Sequence, residues 1–294
     1  MTTTKQSSVG IIPCLNGENN IAQVVNEASK FLDKVIVVDD GSTDSSAVAA
    51  RKAGAQVYSH SKNLGVGAAL MTGFKISEES GYKKVIILDA DGAHNPADIP
   101  ALLSTHEDKS SLLTIGSRFS SLEKSHIPSN KLAANFFATK LINDIVGLNL
   151  PDVSCGFRVI DTSLFKYFRM TDGFGFIYEM IFIAAQHGTI AHCPVDVRYD
   201  AQDVWITKGK EALDMLQTCN LWSNNEVLSQ VINMVTRKIL NMEIFFLYFP
   251  ESSENHPHKL IVGHPIHELR GYFFQSQHPD FIKYNENYIV VPNL

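Results

Sequence analysis

Val85-Ile86-Ile87-Leu88-Asp89-Ala90-Asp91 runs from an apolar segment with strand character straight into two carboxylates one residue apart. Side chains of a strand alternate, so residues i and i+2 point the same way. If the chain stays extended past the strand end, Asp89 and Asp91 face one point. Two hard oxygen ligands at one point suit Mg2+ or Mn2+, and such an ion suits a diphosphate. The open carboxyl end of a strand is also where α/β sheets place their ligands. Taken alone, Asp-x-Asp reads first as a solvated acidic turn capping the next helix, so the surrounding chain decides.

Outward from that segment, residues 9–220 alternate short apolar runs with helix-type stretches. Val9–Pro13, Val35–Val38, Gln56–Ser59, Val85–Leu88 and Leu112–Ile115 read as strands. Helices are expected over Asn20–Leu32, from Asp44 or Ser45 to about Ala53, over Gly65–Ser77, and from Asn95-Pro96 onward. Val35–Val38 is continuously apolar, as expected of a strand covered on both faces. This βαβα rhythm predicts an α/β fold with a mostly parallel central sheet and helices on both faces. Further on, Ser117–Ser129 reads as a loop, Lys131–Val146 as a long amphipathic helix and Phe157–Ile160 as a strand. Phe174–Gln186 reads as an apolar helix, Thr189–Val197 as a later strand, and Lys210–Asn220 and Glu226–Leu240 as helices. Residues 1–8 read as a flexible N-terminus, 9–222 as the main domain, and 223–294 as a helix with a small α+β appendage.

Composition narrows the function classes. The chain has 294 residues, 45% hydrophobic and 19% charged, which suits a folded domain with a sizeable core. A net charge of −6 argues against a broad nucleic-acid footprint. Cys14, Cys155, Cys193 and Cys219 lie far apart, as reduced cytoplasmic thiols do. The longest apolar run, Ile244–Phe249, falls far short of the roughly 18–20 residues of a membrane span. A cytoplasmic protein, at most peripheral at a membrane's inner face, is expected. His256 and His258, with His264 and His267 nearby, read as scattered surface histidines before they read as a metal site.

Two further motifs carry chemistry. Val37-Val38-Asp39-Asp40-Gly41-Ser42-Thr43-Asp44 puts carboxylates at a strand end, where they suit ribose hydroxyls or a base N–H, or serve as a turn with a helix cap. Lys62-Asn63-Leu64-Gly65-Val66-Gly67 precedes a helix whose backbone N–H groups suit an anion. It is not a dinucleotide fingerprint, because Leu70 stands at the third glycine and the segment follows the third strand.

Taken in order, Ile12-Pro13-Cys14-Leu15-Asn16, Val38–Asp44, Asn63-Leu64-Gly65, Asp89-Ala90-Asp91-Gly92 with His94 and Pro96, Gly116-Ser117-Arg118 and Cys155-Gly156-Phe157-Arg158 resemble family 2 glycosyltransferases. The likeness spans about residues 9–220 and is closest to the dolichol-phosphate mannosyltransferase and polyprenyl-phosphate sugar transferase branch. It implies a GT-A fold, a nucleoside-diphosphate sugar donor, Mg2+ or Mn2+, and inversion at the anomeric carbon. By the same resemblance, Pro13, Leu15, Asn16, Glu18, Asp39, Asp40, Ser42, Asn63, Gly65, Asp89 and Ala90 line the donor site. Asp89 and Asp91 hold the metal, and Arg118, Lys131, Arg158 and Lys208 are candidates for phosphate or acceptor contacts. Arg158 reads equally as a buried partner of Asp152. Asp91, Arg118 and Glu179 form the expected catalytic set. Glu179 stands alone on an apolar helix, as a general base for a hydroxyl acceptor or as a structural carboxylate. A polyprenyl phosphate acceptor is already ionised and needs little help from a base.

The chain departs from the family in places. Leu15 replaces an aromatic, Gly17 a carboxylate, Ala93 a residue able to assist a metal, and Lys131 an arginine. His94 reads as a cap or packing residue, and Trp205 as packing before sugar stacking. These departures keep open a degenerate glycosyltransferase-like binding or scaffold module. A nucleotidyltransferase is disfavoured, because no glycine-rich basic loop follows the first strand. Self-association stays open.

Overall fold

The computed structural model describes residues 8–118, 129–169, 175–198, 215, 218–219 and 221–222, and four strands within 245–292. The chain divides into two compact units, Met1–Lys124 with Leu150–Asp203, and Ser125–Asn149 with Val204–Leu294. The helix expected at Glu226–Leu240, Trp205, Lys208 and the four late histidines lie outside the described residues.

The first unit is built on seven strands: β1 (Ser8–Cys14), β2 (Lys34–Asp39), β3 (Gln56–Ser59), β4 (Lys84–Ile87), β5 (Leu113–Ser117), β6 (Arg158–Asp161) and β7 (Ile190–Pro194). They lie in the order β3-β2-β1-β4-β6-β5-β7. β1, β2, β3 and β4 are parallel, as are β5 and β7, while β6 runs antiparallel to both of its neighbours. The GT-A fold expected from the sequence is present, with its mostly parallel sheet. Val9, Ile11, Ile12, Ile36, Val37 and Val38 are fully buried, which explains the unbroken apolar runs of β1 and β2.

Five helices of this unit cover the sheet: α1 (Ile21–Ala28), α2 (Ser46–Lys52), α3 (Val66–Glu79), α4 (Ile99–Asp108) and, after α5 (Ser129–Val146) of the second unit, α6 (Phe176–His187). On α1 the buried face is Ile21, Val24, Val25 and Ala28, the face its periodicity predicted. α3 packs close against β1 because Gly73 faces Ile11, where a Cβ would stand 2.6 Å from Ile11 Cγ2. α6 is buried along Phe176–Ala184. The Asn95-Pro96 signal starts a 3-10 turn, Pro96–Asp98, in which Asn95 Oδ1 accepts the Ala97 N–H; α4 follows it. All four cysteines are free and buried.

In the second unit, α5 (Ser129–Val146) packs against β8 (Phe245–Phe249). With β9 (Lys259–Gly263), β10 (Ile282–Asn285) and β11 (Tyr288–Pro292), β8 forms an antiparallel sheet in the order β10-β11-β9-β8. This is the β part of the small C-terminal appendage. No helix of the described residues is long and apolar enough to cross a membrane.

The strand order reverses at β1, with β2 on one side and β4 on the other. The crevice outside the carboxyl ends at such a reversal is where open α/β sheets bind ligands. The loops after β1, β2 and β4 meet there.

Candidate active site at the carboxyl ends of β1, β2 and β4

The loops after β1 and β2 are laced together. Asn16 adopts a left-handed φ of 53°, which asparagine tolerates better than most residues. Its N–H donates to Ser42 Oγ at 2.9 Å, and its Oδ1 accepts the Thr43 N–H at 2.9 Å. The Gly17 N–H donates to Ser46 Oγ at 2.8 Å, and Glu18 Oε2 accepts the Ser45 N–H at 2.9 Å. Asp44 accepts the Glu18 N–H and both Ser46 donors; the Ser46 hydroxyl bond leads in holding its carboxyl below the ordinary value. Pro13 is half-buried at the end of β1, and Leu15 is exposed between these fastened positions.

The two aspartates that end β2 differ. Asp39 is buried, and its Oδ1 accepts the Ser42 N–H at 3.0 Å. Asp40 reaches the other way. Its Oδ1 accepts the Leu64 N–H at 2.9 Å and lies 2.7 Å from His60 Nδ1, while Oδ2 accepts the Gly65 N–H at 2.8 Å. His60 Nε2 lies 2.9 Å from Thr72 Oγ1. Both Asp40 oxygens are engaged and buried, so Asp40 fastens the loop before α3, a task the sequence did not announce. Asn63 Oδ1 also accepts the Gly65 N–H.

Asp89, Ala90 and Asp91 follow β4 directly. The Asp89 side chain is 46% exposed and Asp91 is exposed. Asp91 Oδ1 accepts the Ala93 N–H at 2.8 Å, which fixes the carboxylate on its own turn. The Asp89 carboxylate lies over Gly156, where a Cβ would stand 2.9 and 3.0 Å from Oδ2 and Oδ1. His94 is buried behind it, with Nδ1 3.5 Å from Asp89 Oδ2 and its ring stacked on Phe157. Burial by itself pushes the imidazole down, but Asp89, then Cys155 and Asp91, outweigh it and lift the pKa to about 9. Among the described residues no cluster of three metal-ligating side chains forms. Two accessible carboxylates nonetheless fit Mg2+ or Mn2+, because such ions take one or two carboxylates and complete their shell with water and substrate phosphate.

The arginines take structural positions. Arg118 Nε and Nη2 form a forked pair with Asp152 at 2.8 and 2.9 Å, and Nη2 also reaches Ser154 Oγ. Burial would raise the Asp152 carboxyl, but Arg118 outweighs it and holds it below the ordinary value. The partner expected for Arg158 therefore belongs to Arg118. Arg158 is fully buried and donates to the carbonyls of Cys155, Val153 and Ile177. The phosphate contact expected of Arg158 is thus replaced by a structural role, with burial lowering its pKa to about 10. Glu179 is buried on α6, and its Oε1 accepts the Arg169 N–H at 3.0 Å. Lys131 lies on α5 of the second unit.

The profile described as Glycosyl transferase family 2 matches residues 10–168, more than half of the chain. An uncharacterized protein of Methanocaldococcus jannaschii is 32% identical over 221 residues, covering 70% of this chain and 95% of its own. The undecaprenyl-phosphate mannosyltransferase of Micrococcus luteus is 29% identical, covering 52% of this chain and 67% of its own. A UDP-N-acetylglucosamine–dolichyl-phosphate N-acetylglucosaminyltransferase of Methanococcus voltae is 29% identical, covering 53% and 70%. Among solved structures, glucosyl-3-phosphoglycerate synthase of Mycobacterium tuberculosis, in complex with Mn2+ and UDP-glucose, superposes with a TM-score of 0.60. That match has 17% identity and covers 84% of each chain. Fold, strand-end carboxylates and sequence relatives agree: the chain belongs to glycosyl transferase family 2.

Proposed function

We propose that this chain transfers a sugar, with inversion, from a nucleoside-diphosphate sugar to a polyprenyl phosphate, using Mg2+ or Mn2+ held at Asp89 and Asp91. The observation that carries this reading is the pair of accessible carboxylates just past β4, at the reversal of strand order. The Mn2+ and UDP-glucose complex of the structural neighbour and the polyprenyl-phosphate acceptors named for the sequence relatives support it.

Each residue then has a definable task. Asp91 is exposed and fixed through Oδ1 to the Ala93 N–H, which leaves its other oxygen for an ion. Asp89 supplies the second carboxylate. A divalent ion bound there contributes neutralisation of charge gathering on the leaving nucleoside diphosphate. Asp39, Pro13 and Leu15 line the donor end. Asn16, Glu18, Ser42 and Asp40 hold the loops in register, so the site is formed before the donor arrives and less ordering accompanies binding. Glu179 anchors the Arg169 backbone through Oε1. A phosphate acceptor fits that arrangement, because it arrives ionised and does not draw on Glu179 as a base.

The test is a transfer assay with a panel of UDP-, GDP-, dTDP- and CDP-sugars and undecaprenyl or dolichyl phosphate in detergent, with and without Mn2+. The expected result is metal-dependent appearance of labelled sugar in the organic phase. Transfer only to soluble hydroxyl acceptors would overturn the acceptor assignment. No turnover and no nucleotide binding would favour a binding module that has lost catalysis.

A further inference from the structure

The buried imidazole of His94 has no part in the donor contacts described above. It is also the one place at the site where a buried polar atom lacks a hydrogen bond. Among the described residues His94 Nδ1 has no hydrogen-bond partner, although the ring is buried. The atom nearest in chemistry is Asp89 Oδ2, at 3.5 Å, just beyond hydrogen-bond length. The other ring nitrogen, Nε2, points to Cys155 Sγ at 3.9 Å. Both nitrogens thus face protein atoms, and the ring is buried.

The ring is held from several sides. It stacks on Phe157 with centroids 5.1 Å apart, and the His94 backbone bridges Val197. The Ala93 carbonyl accepts the Arg198 N–H at 2.8 Å, and Asp98 Oδ2 accepts the Asp196 N–H at 2.9 Å. The loop after β4 is therefore clamped at both ends of the segment that carries His94. Asp89 by contrast is half in solvent, with its carboxylate lying over Gly156. A carboxylate so placed has freedom to turn, and an ordered donor behind it removes that freedom.

We propose that His94 and Gly156 are positioning residues for Asp89. The imidazole restrains Oδ2 from behind, and the missing side chain at 156 gives the carboxylate its seat, so that Asp89 meets a divalent ion in a fixed orientation. This rests on the metal-dependent donor site proposed above. Partners that orient a metal ligand from behind typically contribute 10- to 100-fold in metal affinity.

The experiment measures the affinity of the full chain for UDP and GDP by calorimetry, with Mn2+ and with chelator, for wild type, His94→Phe and Gly156→Ala. His94→Phe keeps an aromatic ring over Phe157 and removes the nitrogen. Gly156→Ala fills the seat at a position where Asp89 can swing into solvent, so it retains the fold if the buried substitution does not. Both variants are expected to lose roughly 10-fold or more of the affinity gained from Mn2+, while chelator affinity stays at the wild-type value. Mn2+ electron paramagnetic resonance in the presence of nucleotide should show the same loss without any turnover. Unchanged Mn2+ enhancement in Gly156→Ala, or in a folded His94→Phe, would overturn the proposal. Equal losses with and without metal would also overturn it, in favour of a merely structural role. Absence of any Mn2+ enhancement in wild type would instead overturn the donor-site reading on which this one rests.

Discussion

At the carboxyl end of β2, Asp40 is buried, with both oxygens engaged by the Leu64 and Gly65 N–H groups and a His60 nitrogen beside them. At the carboxyl end of β4, the Asp89 side chain is half exposed and Asp91 is exposed, and neither is paired with a lysine or arginine among the described residues. The residue type and the position on the sheet are the same, but the partners differ. A buried carboxylate must be satisfied from within the fold, and Asp40 is satisfied by the loop it holds. An accessible carboxylate can stay open to an ion, so of these three residues Asp89 and Asp91 keep that capacity and Asp40 does not.

That contrast can be broken by substitution. Asp91→Ala should leave the melting temperature near wild type, because the residue is exposed, while metal-dependent turnover falls by roughly 10²- to 10³-fold. Retained turnover would remove Asp91 from the site. Asp152→Ala should act on stability. It leaves Arg118 without its forked partner, and breaking a buried pair costs about 3–5 kcal/mol, readable by urea denaturation. Asp40→Asn replaces one accepting oxygen by a donor facing amide donors, and should cost about 1–3 kcal/mol while leaving Mn2+ dependence intact. Loss of the metal effect alone would place Asp40 in the donor site. Glu179→Gln should leave turnover with a phosphate acceptor near wild type, whereas a general base would show a drop of roughly 10²-fold.

The smallest effect concerns acid. His106 and His192 are held neutral by burial, with pKa values of about 4 against an ordinary 6.5. The folded state thus binds fewer protons than the unfolded state between those values, and stability falls as pH drops from about 6.5 toward 4. In His106→Gln the slope of melting temperature against pH over that window should flatten.

Much of the fold was legible in the sequence. Val35–Val38 and Val85–Leu88 announce buried strands by unbroken apolar character, and the face of α1 follows from Ile21, Val24, Val25 and Ala28. The antiparallel sense of β6 was not legible, because strand direction depends on pairing with β4 and β5, which leaves no mark in Arg158–Asp161. The placement of Asp89 and Asp91 past a strand end was readable from spacing. The partner of Asp152 was not legible, since either arginine is compatible with it until the fold brings Arg118 to it and sets Arg158 on backbone carbonyls. His60 gave no signal at all. It stands far from Asp40 and Thr72 in the chain; the parallel pairing of β2 with β3 sets it beside Asp40, and α3 brings Thr72 to its other nitrogen.

The central claim is that the carboxylates past β4 bind a divalent ion together with a nucleoside diphosphate. The most direct measurement is calorimetric titration of wild type and Asp91→Ala with UDP and GDP, each with Mn2+ or chelator. The account predicts that one nucleotide binds wild type more tightly with Mn2+ and that Asp91→Ala loses this enhancement while keeping its fold. Equal affinity with and without the metal, or an enhancement that survives in Asp91→Ala, would contradict it.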